Sequence, residues 1–288
     1  MNHETQHIDW ASIELPDAWP DRLNPYNPLT ALRLLYKAMQ PKRGKVQLPA
    51  ASLPIAQDIP KYVLQEFHNL PNGNYSKNIA NGYARWFDRV MLGTLRQGRA
   101  HAAQHFIKAQ RVIDIGCGAG HMAAAIQAHS TAQVWGLDAS PYLLQAAAQA
   151  HPDIHWRHGL AENTDLPAQF FDGVSLCFVL HEIPPLYLRQ VLAELQRITK
   201  PNARIVIIEP SDVQWHGSYQ ALWREHGWRG AYFKWLANHA HEPFVQAWHE
   251  QNLSILFNEY GFNIESDERG CPLRVIVAVK TDAPLQAV

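Results

Sequence analysis

The sequence predicts an α/β fold built on a doubly wound, mostly parallel β-sheet. Two observations support this prediction. Residues 112–115 form a short, largely β-branched run that ends in glycines, which is the pattern of a buried parallel strand followed by a tight turn. From there to residue 210, short apolar segments alternate with segments of helical periodicity, which is typical of a parallel sheet with helices on both faces.

Three glycines separate the first predicted strand from the helix that follows it. Gly116, Gly118 and Gly120 precede Met122, which begins a run of good helix formers. Glycine lets a ligand approach the backbone closely because no Cβ stands in the way. The turn also directs the positive end of the helix toward a bound group. Asp138 ends the second predicted strand about 20 residues further on, where doubly wound folds place an acid on two ribose hydroxyls.

The remaining elements follow in chain order. We predict helices at 121–129, 141–150, 185–198 and 253–260. We predict further strands at 133–137, 154–157, 173–179 and 205–208, and a terminal hairpin of 263–266 and 273–280. Ser140 and Pro141 begin helix 141–150 as its N-cap and first helical residue. The hairpin adds antiparallel strands at one edge of the sheet.

Residues 1–109 are predicted to be a mainly helical N-terminal cap over the sheet, because no long flexible linker separates them from the rest. Prolines at positions 16, 20, 25 and 28 predict an irregular leader, disordered in part or wrapped on the surface. Helices are expected at 30–39, 62–70, 78–96 and 97–109. Residues 110–288 form the predicted main domain, in which 211–250 is an aromatic-rich helical insert.

Composition limits the classes of function. The chain has 288 residues and a net charge of −1, so no global positive field attracts nucleic acid or a membrane. Its first ten residues are polar, and no apolar run approaches the roughly 20 residues that span a bilayer. Three cysteines are too few for a disulfide framework. We expect a soluble, cytoplasmic protein without nucleic-acid or membrane partners, and the oligomeric state stays open.

The nonapeptide that begins at Val112, Val-Ile-Asp-Ile-Gly-Cys-Gly-Ala-Gly, resembles the first motif of class I S-adenosylmethionine-dependent methyltransferases. Asp114 is the acid before the turn. A dinucleotide fold requires Gly-x-Gly-x-x-Gly/Ala instead, and His121 stands where the third small residue would be, so a nicotinamide-dependent oxidoreductase is disfavoured. The resemblance covers roughly residues 75–280 and is strongest over 111–210. It implies a seven-stranded, Rossmann-like sheet and S-adenosylmethionine as cofactor.

The resemblance also implies a set of cofactor contacts. Asp138 would accept from the ribose hydroxyls, since two carboxylate oxygens suit a vicinal diol. The family's adenine loop often reads Gly-Asp-Ala-Glu, but here Leu160 replaces the aspartate, so backbone groups would serve there. Tyr75 would donate to the methionine carboxylate, and carbonyls near the end of the fourth strand would accept from the ammonium. The expected contacts are Tyr75, Asp114, Gly116, Cys117, Gly118, Gly120, Asp138, Ala139, Leu160, Ala161, Glu162, Cys177 and Phe178.

Candidate general bases lie where two predicted strands end. A base is needed only if the acceptor atom must lose a proton during the reaction. His181 and Glu182 follow the fourth strand and Glu209 follows the fifth, at the edge where open sheets bind ligands. Because histidine titrates near neutral pH, His181 is one catalytic candidate and Glu209 is the other. A structural or cofactor-facing role for His181 is the alternative.

The insert at 211–250 holds five tryptophans and five histidines, at a place where members of the resembled family often recognise substrate. The substrate candidates are Trp215, Tyr219, Trp223 and Tyr232. The alternative is that these aromatic side chains form a small core of the insert. The histidines lack metal-ligand spacing, and no metal is expected. We predict methyl transfer to an oxygen, nitrogen or carbon atom of a small molecule; the alternative is a cofactor-binding or scaffold protein without catalysis.

Overall fold

The computed structural model of the chain describes residues 8–23, 27–30, 32, 36, 44–50, 52–55 and 57–281. The strands of its sheet are β1 Arg111–Ile115, β2 Gln133–Asp138, β3 His155–His158, β4 Phe171–Cys177, β5 Thr199–Pro210, β6 Phe262–Arg269 and β7 Leu273–Lys280. They form one seven-stranded sheet in the order β3-β2-β1-β4-β5-β7-β6. Strands β1 to β5 run parallel, and β7 is antiparallel to both β5 and β6. The predicted doubly wound sheet with an antiparallel terminal hairpin is confirmed.

The helices from residue 77 onward are α1 Lys77–Val90, α2 Thr94–Ala103, α3 His121–His129, α4 Pro141–Ala150, α5 Pro185–Ile198, α6 Asp212–His216, α7 Tyr219–His239, α8 Val245–His249 and α9 Leu253–Glu259. Short 3₁₀ helices span Trp19–Arg22, Phe67–Asn69, Gln104–Phe106 and Leu180–Glu182. Helices α3, α4 and α5 have the predicted bounds. Ser140 caps α4 as expected, since its hydroxyl accepts from the backbone N–H of Leu143 at 3.2 Å. Within the described part of the chain, every helix is too short or too polar to cross a bilayer.

The central strands are buried on both faces. On one face, Ile113 lies in a core shared with α5 and α9. On the other face, Val112 lies in a core shared with α2 and α3. Because β1, β2, β4 and β5 are parallel, their carboxyl-terminal ends lie along the same edge of the sheet, where open α/β folds bind ligands.

Three predicted helices of the N-terminal region differ from the structure. The predicted helix 62–70 is wrong: only a 3₁₀ turn forms, because His68 and Asn69 have left-handed φ values of 53° and 63°. The predicted helix 78–96 breaks after Val90, where Leu92 and Gly93 have φ values of 50° and 75°. The chain then restarts as α2, earlier than the expected second helix.

The first described segment, residues 8–23, wraps over α4 as an irregular chain. The Tyr142 hydroxyl donates to the Pro16 carbonyl at 2.7 Å, and Gln145 Nε2 donates to the Ile13 carbonyl at 2.5 Å. Leu15 of this segment is buried and packs in a cluster with Tyr142 and Leu143 of α4. In the predicted helix 30–39 only residues 30, 32 and 36 are described, and they are helical; its other positions lie outside the described residues. The boundary at residue 109 stays a prediction.

Candidate functional site

A first cavity opens at the carboxyl-terminal ends of β1, β2 and β4. It holds about 1140 Å³ of empty space, open solvent included. Its walls contain most of the expected cofactor contacts, namely Tyr75, Asp114, Gly116, Cys117, Gly118, Asp138, Ala139, Leu160, Ala161, Cys177 and Phe178. Gly120 and Glu162 are not among the lining residues. The structure therefore brings together one set of residues that the sequence places on five separate segments.

Asp138 lies at the end of β2 and is held by backbone donors. The N–H groups of Gly118 and Ser140 donate to its two carboxylate oxygens, each at 2.8 Å. Burial raises the pKa of Asp138 to about 6, against the lowering effect of these hydrogen bonds. Each oxygen retains a second lone pair, so the carboxylate fits the vicinal hydroxyls of a ribose.

The glycine turn after β1 lines the first cavity, and the missing Cβ of Gly116 keeps that part of the cavity open. Gly116 has a φ of 65°, and a Cβ there would lie 2.5 Å from a methyl carbon of Val179. Only glycine combines that backbone conformation with so close an approach. Gly120 serves packing behind the turn, because a Cβ there would lie 2.6 Å from the Trp156 ring. This explains why Gly120, which we expected at the cofactor, does not line the cavity.

The Asp114 carboxylate stabilises the glycine turn through hydrogen bonds. Its carboxylate accepts from the Ser175 hydroxyl at 2.7 Å and from the Ala123 N–H at 3.2 Å. Burial outweighs these hydrogen bonds and raises the pKa of Asp114 to about 7. One face of the group reaches the first cavity, so Asp114 both fixes the start of α3 and contributes a polar surface to the cavity.

Two expected contacts make other hydrogen bonds in this structure. The Tyr75 hydroxyl donates its single proton to the Ala139 carbonyl at 2.9 Å, so that proton is not free for a ligand carboxylate. The Glu162 carboxylate accepts from the Tyr62 hydroxyl, with distances of 2.8 and 2.9 Å to its two oxygens. Tyr62 lines the cavity and Glu162 lies behind it.

The sequence analysis missed a buried cation in the first cavity. Arg99 is 5% exposed and lines the cavity, and its Nη2 lies 2.6 and 2.7 Å from the two carboxylate oxygens of Asp88. Its positive charge acts on Asp114 and on the Cys177 thiol, lowering the pKa of each against the larger effect of burial. A guanidinium here can pair with a carboxylate on a ligand. Nothing in the pattern of α2 distinguishes Arg99 from Arg96, the other arginine of that helix.

A second cavity, mainly apolar, lies between α1, α6 and α7. It holds about 1400 Å³ of empty space, open solvent included, and its apolar walls include Trp86, Trp215, Phe233 and Trp235. Four side chains line both cavities: His68, Tyr83, Phe87 and Phe178. The two cavities therefore share one wall of mostly aromatic side chains.

Phe178 occupies a strained position in this shared wall. Its φ of 60° is rare for a non-glycine residue. Its ring contacts Phe87 edge to face at a centroid distance of 5.9 Å, and its backbone N–H donates to the Ile208 carbonyl at 2.8 Å. Strained residues persist where the surrounding structure fixes them, and they concentrate at functional sites.

Of the four substrate candidates, only Trp215 lines the second cavity. Tyr219 and Trp223 lie in the first half of α7 and are 45% and 59% exposed. Helix α7 is interrupted at Gly227, which has a φ of 62°. The Tyr232 hydroxyl donates to the Val90 carbonyl at 2.8 Å and joins α7 to α1. This structure therefore does not place Tyr219, Trp223 or Tyr232 at either cavity, and Trp235 lies there instead.

The two catalytic candidates form a buried ion pair. His181 Nδ1 lies 2.5 Å from Glu209 Oε2, and both side chains are 0% exposed. Burial alone lowers the pKa of His181, but the Glu209 carboxylate outweighs it and raises that pKa to about 9. A protonated imidazole cannot accept a proton, and neither residue lines either cavity. The geometry favours a structural pair between the β4 and β5 ends; the direct catalytic role stays a prediction.

His68 is the charged residue of the shared wall, and the sequence analysis missed it. Its Nε2 lies 2.8 Å from Glu182 and its Nδ1 lies 3.5 Å from Glu242. Burial lowers the pKa of His68, but hydrogen bonds to these two carboxylates outweigh it and raise the pKa to about 10. Among the described residues, no group of three or more His, Cys, Asp or Glu side chains is arranged to hold a metal ion. These ion pairs join the N-terminal region to the loop after β4 through Glu182 and to the segment between α7 and α8 through Glu242.

Binding of a ribose-containing cofactor is expected to weaken in acid. Only the ionised carboxylate accepts from two hydroxyls, and the pKa of Asp138 in the folded protein is about 6. The dissociation constant should therefore be constant above about pH 7 and rise up to about tenfold per unit below about pH 6. Titration calorimetry across this range checks the prediction. The Asp114→Asn variant should keep the midpoint near 6, and a constant affinity down to about pH 5 would contradict this assignment.

Comparison with known proteins identifies similar sequences over part of the chain. Residues 112–202 match a family model described as a methyltransferase domain. An uncharacterized methyltransferase of Synechocystis is 35% identical over 100 residues, which are 35% of this chain and 47% of that protein. A demethylmenaquinone methyltransferase of Lactiplantibacillus plantarum is 34% identical over 143 residues, 46% of this chain and 60% of that protein. A 2-phytyl-1,4-naphtoquinone methyltransferase of Synechococcus elongatus is 32% identical over 123 residues, 40% of this chain and 50% of that protein. The chain spans about half the length of the curated relatives it matches.

Solved structures share the fold at low sequence identity. A candidate methyltransferase of Haloferax volcanii, solved in complex with the Trm112 methyltransferase activator, has a TM-score of 0.50 and 15% identity, covering 70% of this chain and 97% of that chain. A candidate O-methyltransferase from Nostoc punctiforme also has a TM-score of 0.50, with 18% identity, covering 70% of this chain and 60% of that chain. These likenesses concern the fold alone.

Proposed function

We propose that this chain, whose residues 112–202 match a family model described as a methyltransferase domain, transfers the methyl group of S-adenosylmethionine to an apolar small molecule in the second cavity. The predicted resemblance and the predicted cofactor are confirmed for this domain. The observation that carries the proposal is the wall that the two cavities share. The quinone methyltransferases among the relatives support an aromatic, apolar acceptor.

The lining of the first cavity suggests which groups hold the cofactor. We assign the ribose to Asp138 and the adenine to backbone groups of Leu160 and Ala161. We assign the methionine carboxylate to Arg99, because Tyr75 donates elsewhere. Carbonyls near the end of β4, at Cys177 and Phe178, would accept from the ammonium. Bound S-adenosylmethionine supplies a methyl group that its sulfonium charge has already activated toward displacement.

Positioning is the main contribution that the protein can make to such a transfer. A correctly oriented nucleophile reacts with an effective molarity of about 10⁵ M or more in favourable cases. Phe87 and Phe178 meet edge to face in the shared wall, and their rings orient a flat acceptor and exclude water. The ion pairs of His68 with Glu182 and Glu242 fix the N-terminal region against the same wall. A base is needed only where the acceptor atom must lose its proton during the reaction.

Blocking the second cavity should slow methyl transfer and leave cofactor binding unchanged. Gly82 lies in α1 and lines the second cavity, and a Cβ there would meet no atom within 4 Å. Leucine at this position therefore occupies the cavity without a clash at its Cβ, and it is the better helix former by roughly 1 kcal/mol. With methyl-labelled S-adenosylmethionine and a panel of hydroxylated aromatic acceptors, we expect Gly82→Leu to lower kcat/KM at least about tenfold, since each 1.4 kcal/mol of lost acceptor binding is a factor of ten.

A matched control lies next to Gly82 in the same helix. Asn81 is exposed, and Asn81→Leu should leave both kcat/KM and cofactor affinity unchanged. Equal loss in both variants would place the acceptor outside the second cavity. A protein that binds S-adenosylmethionine but labels no acceptor from the panel or from a cell extract would favour the scaffold alternative.

A further inference from the structure

The lining of the second cavity includes polar residues, among them Ser211, Gln214 and His249. The rest of the lining is mostly apolar and aromatic. A few polar groups on an apolar wall are what orient a ligand in small-molecule sites.

Gln214 presents a buried oxygen without a partner. The residue is 4% exposed, and its Oε1 has no hydrogen-bond partner among the described residues. The Pro272 carbonyl fixes the orientation of the amide, because it accepts from Gln214 Nε2 and from the Ser211 N–H, each at 2.9 Å. Rotating the amide by 180° would place two acceptors against each other. The oxygen is therefore an unsatisfied, buried acceptor on a residue that lines the cavity.

His249 lies in α8 beside Gln214's helix, with its ring centroid 6.3 Å from that of Trp215. Neither ring nitrogen has a hydrogen-bond partner among the described residues, and both atoms are buried. Burial lowers the pKa of His249 to about 4, which outweighs the opposing Asp212 charge. The ring is thus neutral at pH 7 and offers one N–H donor and one nitrogen acceptor.

We propose that Gln214 and His249 recognise a hydroxyl group of the acceptor, so that the second cavity selects aromatic alcohols over their methyl ethers. This inference rests on the proposed function, because it specifies the acceptor of the same site. A hydroxyl donates its single proton to Gln214 Oε1 and can at the same time accept from the N–H of the neutral imidazole. A methyl ether has no donor and leaves the buried amide oxygen without a hydrogen bond. An unpaired buried polar group costs free energy when water cannot reach it.

The inference is tested by binding, without turnover. Isothermal titration calorimetry with 1-naphthol and 1-methoxynaphthalene compares two flat molecules that differ in the donor. Wild-type protein should bind 1-naphthol about tenfold more tightly, the ratio expected for satisfying one buried polar group. Gln214→Leu and His249→Phe should each reduce that preference, and Gln214→Leu should bring it within about twofold. Gln190→Leu makes the same change at an exposed position of α5 and should keep the wild-type ratio.

Further variants separate the possible outcomes. If Gln214→Leu fails to fold by circular dichroism, Gln214→Met removes the oxygen and keeps the length of the side chain. Equal affinity of wild-type protein for the two naphthalenes, or a preference that survives both substitutions, would overturn the inference and leave the proposed methyl transfer intact. If neither naphthalene binds while S-adenosylmethionine does, the placement of the acceptor in this cavity fails as well.

Discussion

Replacing Asp138 with alanine is expected to weaken S-adenosylmethionine binding at least about 100-fold. Hydrogen bonds to a charged group contribute about 1.5–3 kcal/mol each, and two ribose hydroxyls lose their acceptor in this variant. The substitution also removes the acceptor for the Gly118 and Ser140 N–H groups, which loosens the glycine turn. Isothermal titration calorimetry gives the affinity, and thermal melting shows whether the fold persists.

Asp172 provides a matched control for this experiment. Its Oδ1 also accepts from two backbone N–H groups, those of Gln110 at 2.9 Å and Arg111 at 2.8 Å. It lies at the amino-terminal end of β4 and does not line the first cavity. Asp172→Ala should therefore cost stability and leave cofactor affinity within about twofold, since surface and remote changes act weakly on a distant site. A similar loss of affinity in both variants would mean that Asp138 acts through folding alone.

Replacing Glu209 with alanine is expected to cost about 3–5 kcal/mol of the free energy of unfolding. The carboxylate is completely buried and pairs with His181 at 2.5 Å. It also accepts from the N–H groups of Val179 at 3.0 Å and Leu180 at 2.8 Å. Alanine would leave a buried imidazole charge and two N–H groups without an acceptor. Urea denaturation measures the loss, and Glu209→Gln, which keeps one acceptor oxygen, should lose less.

The ion pair of His181 and Glu209 should also make the free energy of unfolding depend on pH. The pKa of His181 is raised in the folded state to about 9, whereas an ordinary histidine has a pKa of about 6.5. The folded state therefore binds the proton more tightly, and the stabilisation is fully present below about pH 6.5 and lost as pH rises through about 9. This part of the pH dependence should vanish in Glu209→Ala.

If the Glu209→Ala variant is as stable as wild type but inactive, Glu209 acts in catalysis and the structural assignment is wrong.

The sheet and the first cavity follow from patterns that short segments carry by themselves. The β-branched run at 112–115 and the glycines after it specify a buried strand and a turn whether or not their neighbours are known. Asp138 is found by its spacing from Gly116. Most of the expected cofactor contacts line one cavity because the carboxyl-terminal ends of parallel strands meet at one edge.

The groups that the sequence did not reveal depend on contacts between distant segments. Arg99 and His68 are ordinary polar residues in their own segments, and only the folded chain places them at the first cavity and at the shared wall. The second cavity arises from α1, α6 and α7 together, so no single periodicity predicts which aromatic residues line it. Trp235 lines the cavity, whereas Trp223, on the other side of the break at Gly227, does not. The pairing of His181 with Glu209 likewise requires the register of β4 and β5.

A crystal structure with bound S-adenosylhomocysteine tests the central claim most directly. The account predicts the ribose hydroxyls within about 3 Å of the Asp138 oxygens, the amino-acid carboxylate at Arg99, and the sulfur facing the Phe87 and Phe178 wall. A nucleoside bound elsewhere, or one whose sulfur points away from the second cavity, would contradict it.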